Sequence, residues 1–204
     1  MPPDAPRKGV TSAPCRPTEI TMAPTSRTTI AACLVLQGAS DTATLAPALE
    51  HDLRGLVDVA DEVVVYDTAD HLAPGSAAFD ATLHPAVTVV SGFWAEDREK
   101  AQQAAMAHVG ADWALCVLAG ERVTASPEAL RQLLSDAVDV PAMSVRVDDV
   151  VRGTHRSARL LRTGSSGVTL EGELTEVPSA LLRVCQPVAT TAGVPRQRGV
   201  FDRV

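Results

Sequence analysis

Two short stretches carry side chains whose types and positions could do chemistry. Glu62-Val-Val-Val-Tyr-Asp67-Thr68 is an apolar run that ends on a carboxylate and a hydroxyl, and Trp113-Ala-Leu-Cys-Val-Leu118 is a second apolar run, followed by Ala119-Gly120-Glu121. Apolar runs of strand length bounded by turn residues read as buried strands. Strands apolar on both faces belong inside a parallel sheet covered by helices. Open sheets of this kind present their ligand groups at the carboxyl ends of the strands, which is where Asp67 falls. Each acid also has a plain structural reading: Asp67 caps the turn that follows it, and Glu121 is a solvated loop acid. Glu176, after Thr175, has the same two readings as Glu121.

Other chemistry is excluded by spacing. His51, His71, His84, His108 and His155 are scattered, with no pair at ligand distance along the chain. Cys15, Cys33, Cys116 and Cys185 form no Cys-x-x-Cys, so neither a zinc site nor a disulfide framework is indicated. Cys33 and Cys116 lie in strand-like runs and read as buried thiols. A net charge of -7 and a pI near 5.2 leave no basic face for nucleic acid or an anionic membrane. The tail arginines Arg196, Arg198 and Arg203 read as solvated. No run approaches the roughly 20 apolar residues that span a bilayer. The first residues, Met1-Pro-Pro-Asp-Ala-Pro-Arg-Lys8, lack the apolar core of a signal peptide, so cytoplasmic synthesis is expected.

The elements that must position these groups can be read in order. At 46% hydrophobic and 21% charged, the 204 residues suffice for one domain with extensions. Residues 1–27, with six prolines among Thr, Ser and Ala, form an extended arm that cannot bury a core of its own. A domain over 28–189 follows, and 190–204 is a loose Gly/Pro/Arg tail. Within the domain, Thr29–Leu36 is a first strand, ended by Gln37-Gly38. A helix from about Thr44 places Leu45, Leu49, Leu53 and Leu56 on one face, with Pro47 tolerated in its first turn. Val59–Asp67 makes the second strand, and Pro74-Gly75 shortens or delays the helix after it. Val87–Val90 is a third strand, Glu96–His108 an Ala-rich helix ending at Gly110, and Trp113–Leu118 the central strand. Ser126-Pro127-Glu128 starts a helix with an N-cap and Pro at the first position. Met143–Val151 alternates apolar and polar residues as a half-buried strand, and an apolar segment around Leu181–Val188 closes the domain.

The ordered short motifs over about residues 28–178 resemble family 2 glycosyltransferases with the GT-A fold. Gly110-Ala-Asp112-Trp113 resembles the opening of that family's metal-site strand, and Val59-Ala-Asp61-Glu62 through Asp67-Thr68 resembles its second strand. Gly92-Phe93-Trp94, Arg159-Leu-Leu-Arg162 and Gly172-Glu-Leu-Thr175-Glu176 are similar to three later motifs. The resemblance implies an α/β domain, GT-A-like, with a mostly parallel central sheet flanked by helices. It implies nucleotide contacts from Gln37, Asp67 and Thr68. Trp94 and Trp113 read as core aromatics, with sugar stacking at a cleft rim as the alternative for Trp94. The departures are as specific as the matches. The family's Asp-x-Asp reads Leu118-Ala119-Gly120, its Arg-Asn reads Gln102-Gln103, and its metal-binding His is Thr175. Hard cations need oxygen ligands, and Leu118 and Gly120 have no side-chain oxygen to offer. Glu121 and Glu176 remain as vestigial catalytic candidates, and no metal ligand is assigned.

The expectation is therefore a catalytically degenerate glycosyltransferase-like domain, with no cofactor, serving as a structural or binding module. A protein partner would contact residues 1–27 and the tail, since extended segments gain order by wrapping a partner. A virion or another multi-subunit particle is one setting for such an arm. The alternative is an active, atypical glycosyltransferase that uses Asp67, Glu121 and Glu176 around a nucleotide sugar, with a divalent metal or without one.

Overall fold

A computed structural model describes residues 27–36, 42–93, 98–164 and 174–186. The arm, the tail, Gln37, Trp94 and Gly172 lie outside them. Four strands, β1 (Ile30–Leu36), β2 (Glu62–Asp67), β3 (Val87–Ser91) and β4 (Trp113–Leu118), run parallel in the order β3-β2-β1-β4. Helix α1 (Thr42–Val57) joins β1 to β2, α2 (Ala77–Asp80) precedes β3, and α3 (Arg98–Met106) joins β3 to β4. Every residue of β1 is buried, which is why its sequence shows no polar alternation. Ala32, Leu34 and Leu36 face Leu45, Leu49, Leu53 and Leu56 of α1 in one cluster. Cys33 and Val35 face Ala101 and Ala105 of α3 in the other. The two alanines are one helical turn apart, so α3 meets the sheet through small side chains.

Three acids staple the amino ends of these strands. Asp61 accepts from the Ile30 N–H at 2.9 Å and from the Arg131 guanidinium at 3.0 Å. Glu62 accepts from the N–H groups of Gly110 and Ala111 at 2.6 and 3.1 Å. Asp112 accepts from the N–H and hydroxyl of Thr29 at 2.8 and 2.9 Å. The Asp61-Glu62 and Gly110-Ala-Asp112 signatures are thus scaffold: they fix how β1, β2 and β4 enter the sheet.

Beyond β4 the sheet turns mixed. β7 (Gly153–Arg162) pairs antiparallel with β4, and β6 (Ala142–Asp149) antiparallel with β7. β9 (Leu182–Gln186) runs parallel to β6 and antiparallel to β5 (Arg122–Ala125), giving the full order β3-β2-β1-β4-β7-β6-β9-β5. The two-residue β8 (Thr175–Glu176) also lies beside β6. The α/β class expected from sequence is the one adopted, with parallel pairing concentrated in its first half. Trp113 is a core aromatic, 0% exposed, with Arg162 stacked 4.7 Å from its ring centroid.

Several local expectations are corrected. α1 begins at Thr42, so Pro47 is inside the helix and not in its first turn. Ser126 has extended backbone before α4 (Pro127–Asp136), but its side chain makes no capping bond; its carbonyl accepts from Leu130 instead. β6 stops at Asp149, because the Asp149 carboxylate draws the Val151 and Arg152 N–H groups into a turn at 2.7 and 3.0 Å. Arg122–Ala125, given no element in the sequence reading, is a strand because it hydrogen-bonds to β9, a strand 57 residues away in register with it at Ala125 and Leu182. α2 is the shortened, delayed helix that Pro74-Gly75 announces, capped by the Ser76 hydroxyl at 3.1 Å. No helix among the described residues is long and apolar enough to cross a membrane.

Candidate functional site

The site is built at the carboxyl end of β4, where Leu118-Ala119-Gly120-Glu121 forms a tight turn. The Glu121 N–H donates to the Leu118 carbonyl at 3.0 Å, and Gly120 has φ +84°. That is the left-handed position a type II turn needs, and it favours glycine. Each backbone N–H of the turn has an acceptor within the protein. Leu118 N–H donates to Glu121 Oε2 at 2.9 Å, Ala119 N–H to the Val35 carbonyl at 3.4 Å, and Gly120 N–H to Asp52 Oδ2 at 2.7 Å. Asp52 projects from α1 and is buried, and that burial raises its carboxyl pKa above the ordinary value, partly offset by the Gly120 N–H.

Glu121, expected in solvent, is buried at 3% exposure. Its Oε1 accepts from Arg159 Nη2 at 2.7 Å, and Arg159 is buried to the same 3%. Arg159 also donates through Nη1 to the Cys116 carbonyl at 3.2 Å. The register explains how it gets there. Met143 pairs with Leu160 and Ser144 with Ala158, so Arg159 is the extra residue of a β-bulge in β7. Bulges redirect side chains and recur beside functional sites. Sequence reasoning singled out Glu121 as a catalytic candidate but missed its pairing with Arg159. The available signal was Arg159 within the Arg159-Leu-Leu-Arg162 motif, but nothing local says that Arg159 meets an acid 38 residues earlier.

The remaining candidates are dispersed. Asp67 is 1% exposed and its carboxylate accepts from Ala69 N–H at 3.2 Å and Leu72 N–H at 2.8 Å. It caps the turn after β2. Thr68 donates its hydroxyl to the Leu36 carbonyl at 2.7 Å, linking the ends of β1 and β2. Glu176 is exposed on β8 and pairs with Arg156 at 2.8 Å. Gln102 is half-buried on α3, and its side-chain amide nitrogen has no partner among the described residues. Gln37 is outside the described residues.

A divalent cation does not fit the turn. Leu118 and Gly120 offer no side-chain oxygen, and both oxygens of Glu121 are engaged. Among the described residues no three His, Cys, Asp or Glu side chains converge as a ligand set. Next to the turn lies a cleft of about 520 Å³, bounded by Leu118 and Glu121, by the β6–β7 hairpin and by Gln186 of β9. His155 and Ser157, two apart on β7 and opposite Val147 and Val145 of β6, line it together with Arg152, Arg156 and Arg159.

No known protein family matches the chain, and no curated protein is similar to it at significance. Solved structures are similar in part. A mannosyltransferase from Pyrobaculum calidifontis, in complex with GDP-Man and Mn2+, is 22% identical with a TM-score of 0.43; the match covers 64% of this chain and 39% of that one. HddC from Yersinia pseudotuberculosis is 11% identical with a TM-score of 0.42, over 67% of this chain and 74% of that one. A CMP:2-keto-3-deoxy-manno-octonic acid synthetase complexed with CTP is 15% identical with a TM-score of 0.44, over 59% and 53%. The likeness is one of fold.

Proposed function

We propose that this chain is a glycosyltransferase-like α/β domain that has given up metal-dependent sugar transfer and serves as a non-catalytic structural or binding module. The observation that carries the reading is the sealed turn at Leu118–Glu121. Transfer from a nucleotide sugar places negative charge on the departing diphosphate, and a metal or cationic clamp must stabilise it. Here the one acid left in the turn is spent on Arg159 and on the Leu118 N–H. The other two departures support the same reading: Gln102 replaces a cation, and Thr175 offers no imidazole.

In this reading residues 1–27, and the tail from 190, attach the domain to a protein partner or to a larger assembly such as a virion. No cofactor takes part. Deleting residues 1–27 is expected to abolish assembly and leave the domain folded, as read by thermal unfolding; normal assembly of the truncated chain removes the arm's role.

The central test is calorimetric titration and thermal unfolding with nucleoside diphosphates and nucleotide sugars, each with and without Mn2+, alongside a donor-hydrolysis assay. The expected outcome is no manganese-dependent change. A ligand that binds only the native state stabilises it by about 2.7 kcal/mol at a hundredfold excess over its Kd. A manganese-dependent gain of that size, accompanied by hydrolysis, overturns the proposal in favour of an active enzyme.

A further inference from the structure

At one side the sheet ends on β3, which among the described residues pairs with β2 alone. The Val63 N–H donates to the Ala86 carbonyl and the Gly92 N–H to the Asp67 carbonyl. In a parallel ladder residues 86, 88, 90 and 92 therefore turn their backbone groups toward β2. Val89, between them, turns its N–H and carbonyl outward. Natural edge strands are blunted by charged residues, proline or a bulge. Val87-Thr-Val-Val-Ser91 has no charge and no proline, and its register with β2 is unbroken.

The surface along this edge is apolar. Phe79, Leu83, Pro85, Val87 and Val89 line a groove of about 480 Å³, and Leu83 is 69% exposed. Val87 and Val89, two apart, show the groove one face of the strand. An extended segment laid along β3 meets backbone donors and acceptors on the strand and apolar contacts at every second residue.

This chain carries a segment of that pattern. In the arm, Thr18-Glu-Ile20-Thr-Met22-Ala23 lies between Pro17 and Pro24 and sets Ile20 and Met22 at the strand period. Its tether is long enough. The arm joins the domain at the amino end of β1, where Arg27 pairs at 3.7 Å with Asp61, the residue before β2. From β1 to a position beyond β3 is three strand spacings, about 14 Å. The seven residues from Met22 to Thr29 span up to about 23 Å when extended. The direction is fixed as well. Traced back from the amino end of β1, the arm meets β3 at its amino end and runs along it, so the two chains are antiparallel. An antiparallel edge strand on an otherwise parallel sheet is a common arrangement.

We infer that residues 18–23 add to β3 of the same chain as an antiparallel edge strand, with Ile20 and Met22 on Phe79, Leu83, Val87 and Val89. A short tether holds the segment at roughly millimolar effective concentration, which favours the same chain over a second copy. The inference does not depend on the non-catalytic reading, and it leaves residues 1–17 for the partner proposed above.

The test uses the full chain and reads amide hydrogen exchange residue by residue. The Val89 amide is expected to exchange at least tenfold faster in Ile20→Asp/Met22→Asp than in the wild type; both changes lie in the arm and leave the domain's own core untouched. Val10→Asp, in the arm but outside the segment, is expected to change nothing. Leu83→Asp, an exposed change on the groove side, is expected to speed exchange at residues 20–22. The Leu34 amide, in the buried β1, is the internal reference and is expected to stay protected in every variant. Unprotected exchange of Val89 in the wild type, or unchanged protection in Ile20→Asp/Met22→Asp, overturns the inference. So does protection that is lost on dilution together with a sedimenting dimer, which assigns the edge to the arm of a second copy.

Discussion

Replacing Arg159 by Met tests whether the Glu121–Arg159 pair closes the turn. At 2.7 Å, Coulomb's law with an effective dielectric of 20 gives a gross attraction of about 6 kcal/mol. Most of this offsets the several kcal/mol that each ion loses on leaving water. The net worth of the pair is therefore small, but the cost of breaking it is not. Arg159→Met removes the attraction and leaves the Glu121 carboxylate buried with only the Leu118 N–H. The expected loss is about 3–5 kcal/mol, against a typical total of about 5–15 kcal/mol. In a domain of this size that lowers Tm by roughly 6 to 20 °C. The double variant Glu121→Gln/Arg159→Met removes both charges and keeps an acceptor for the Leu118 N–H. It is expected to recover most of the loss. The assay is urea denaturation of the four species of the double-mutant cycle, comparing midpoints at constant slope. If Arg159→Met costs less than about 1 kcal/mol, as exposed pairs do, or if the two changes add, the pair is not the buried closure described above.

Three further outcomes follow from the same geometry. Asp52→Asn keeps an acceptor for the Gly120 N–H and removes a carboxyl whose folded pKa is raised by burial. The folded wild type therefore binds protons more tightly than the unfolded chain, so its stability relative to the Asn variant is highest in acid. That advantage is lost as pH rises from the unfolded carboxyl pKa of about 3.9 through the folded one; a flat or opposite trend in denaturation midpoints across that window contradicts the assignment. Asp67→Ala leaves the Ala69 and Leu72 N–H groups without their acceptor, and should cost about 1–3 kcal/mol in thermal or urea unfolding, with no ligand needed to reveal it. Gly92→Ala places a methyl 2.0 Å from the Tyr66 ring, and an overpacking loss of about 1–3 kcal/mol is expected. An unchanged midpoint there means that Tyr66 is free to move.

The parallel half of the fold was legible because its signals are local. β1, β2 and β4 are continuous apolar runs, and Leu45, Leu49, Leu53 and Leu56 repeat at helical spacing on α1. The second half was less legible because its order depends on distant pairing. β5 carries the half-buried pattern of any short polar strand and is ordered by β9, with Val123 beside Val184. The candidate site failed in the same way. The spacing of Leu118-Ala119-Gly120-Glu121 shows what the turn lacks, but not where Glu121 points. That depends on a one-residue bulge at Arg159, and no periodicity announces a bulge.

The distribution of acids explains why the strand motifs were readable from the sequence while the site was not. Asp61, Glu62 and Asp112 bind backbone N–H groups at the amino ends of the strands, so substituting any of them removes a link that sets how the strands enter the sheet, with or without catalysis. At the carboxyl ends the demand is different. A turn that receives a ligand must hold donors or carboxylates in reserve, and unpaired buried groups cost stability. Without such a ligand, a turn is most stable when those groups close on one another. The Leu118–Glu121 turn has that arrangement, with Asp52, Glu121, Val35 and Leu118 supplying every acceptor for its N–H groups.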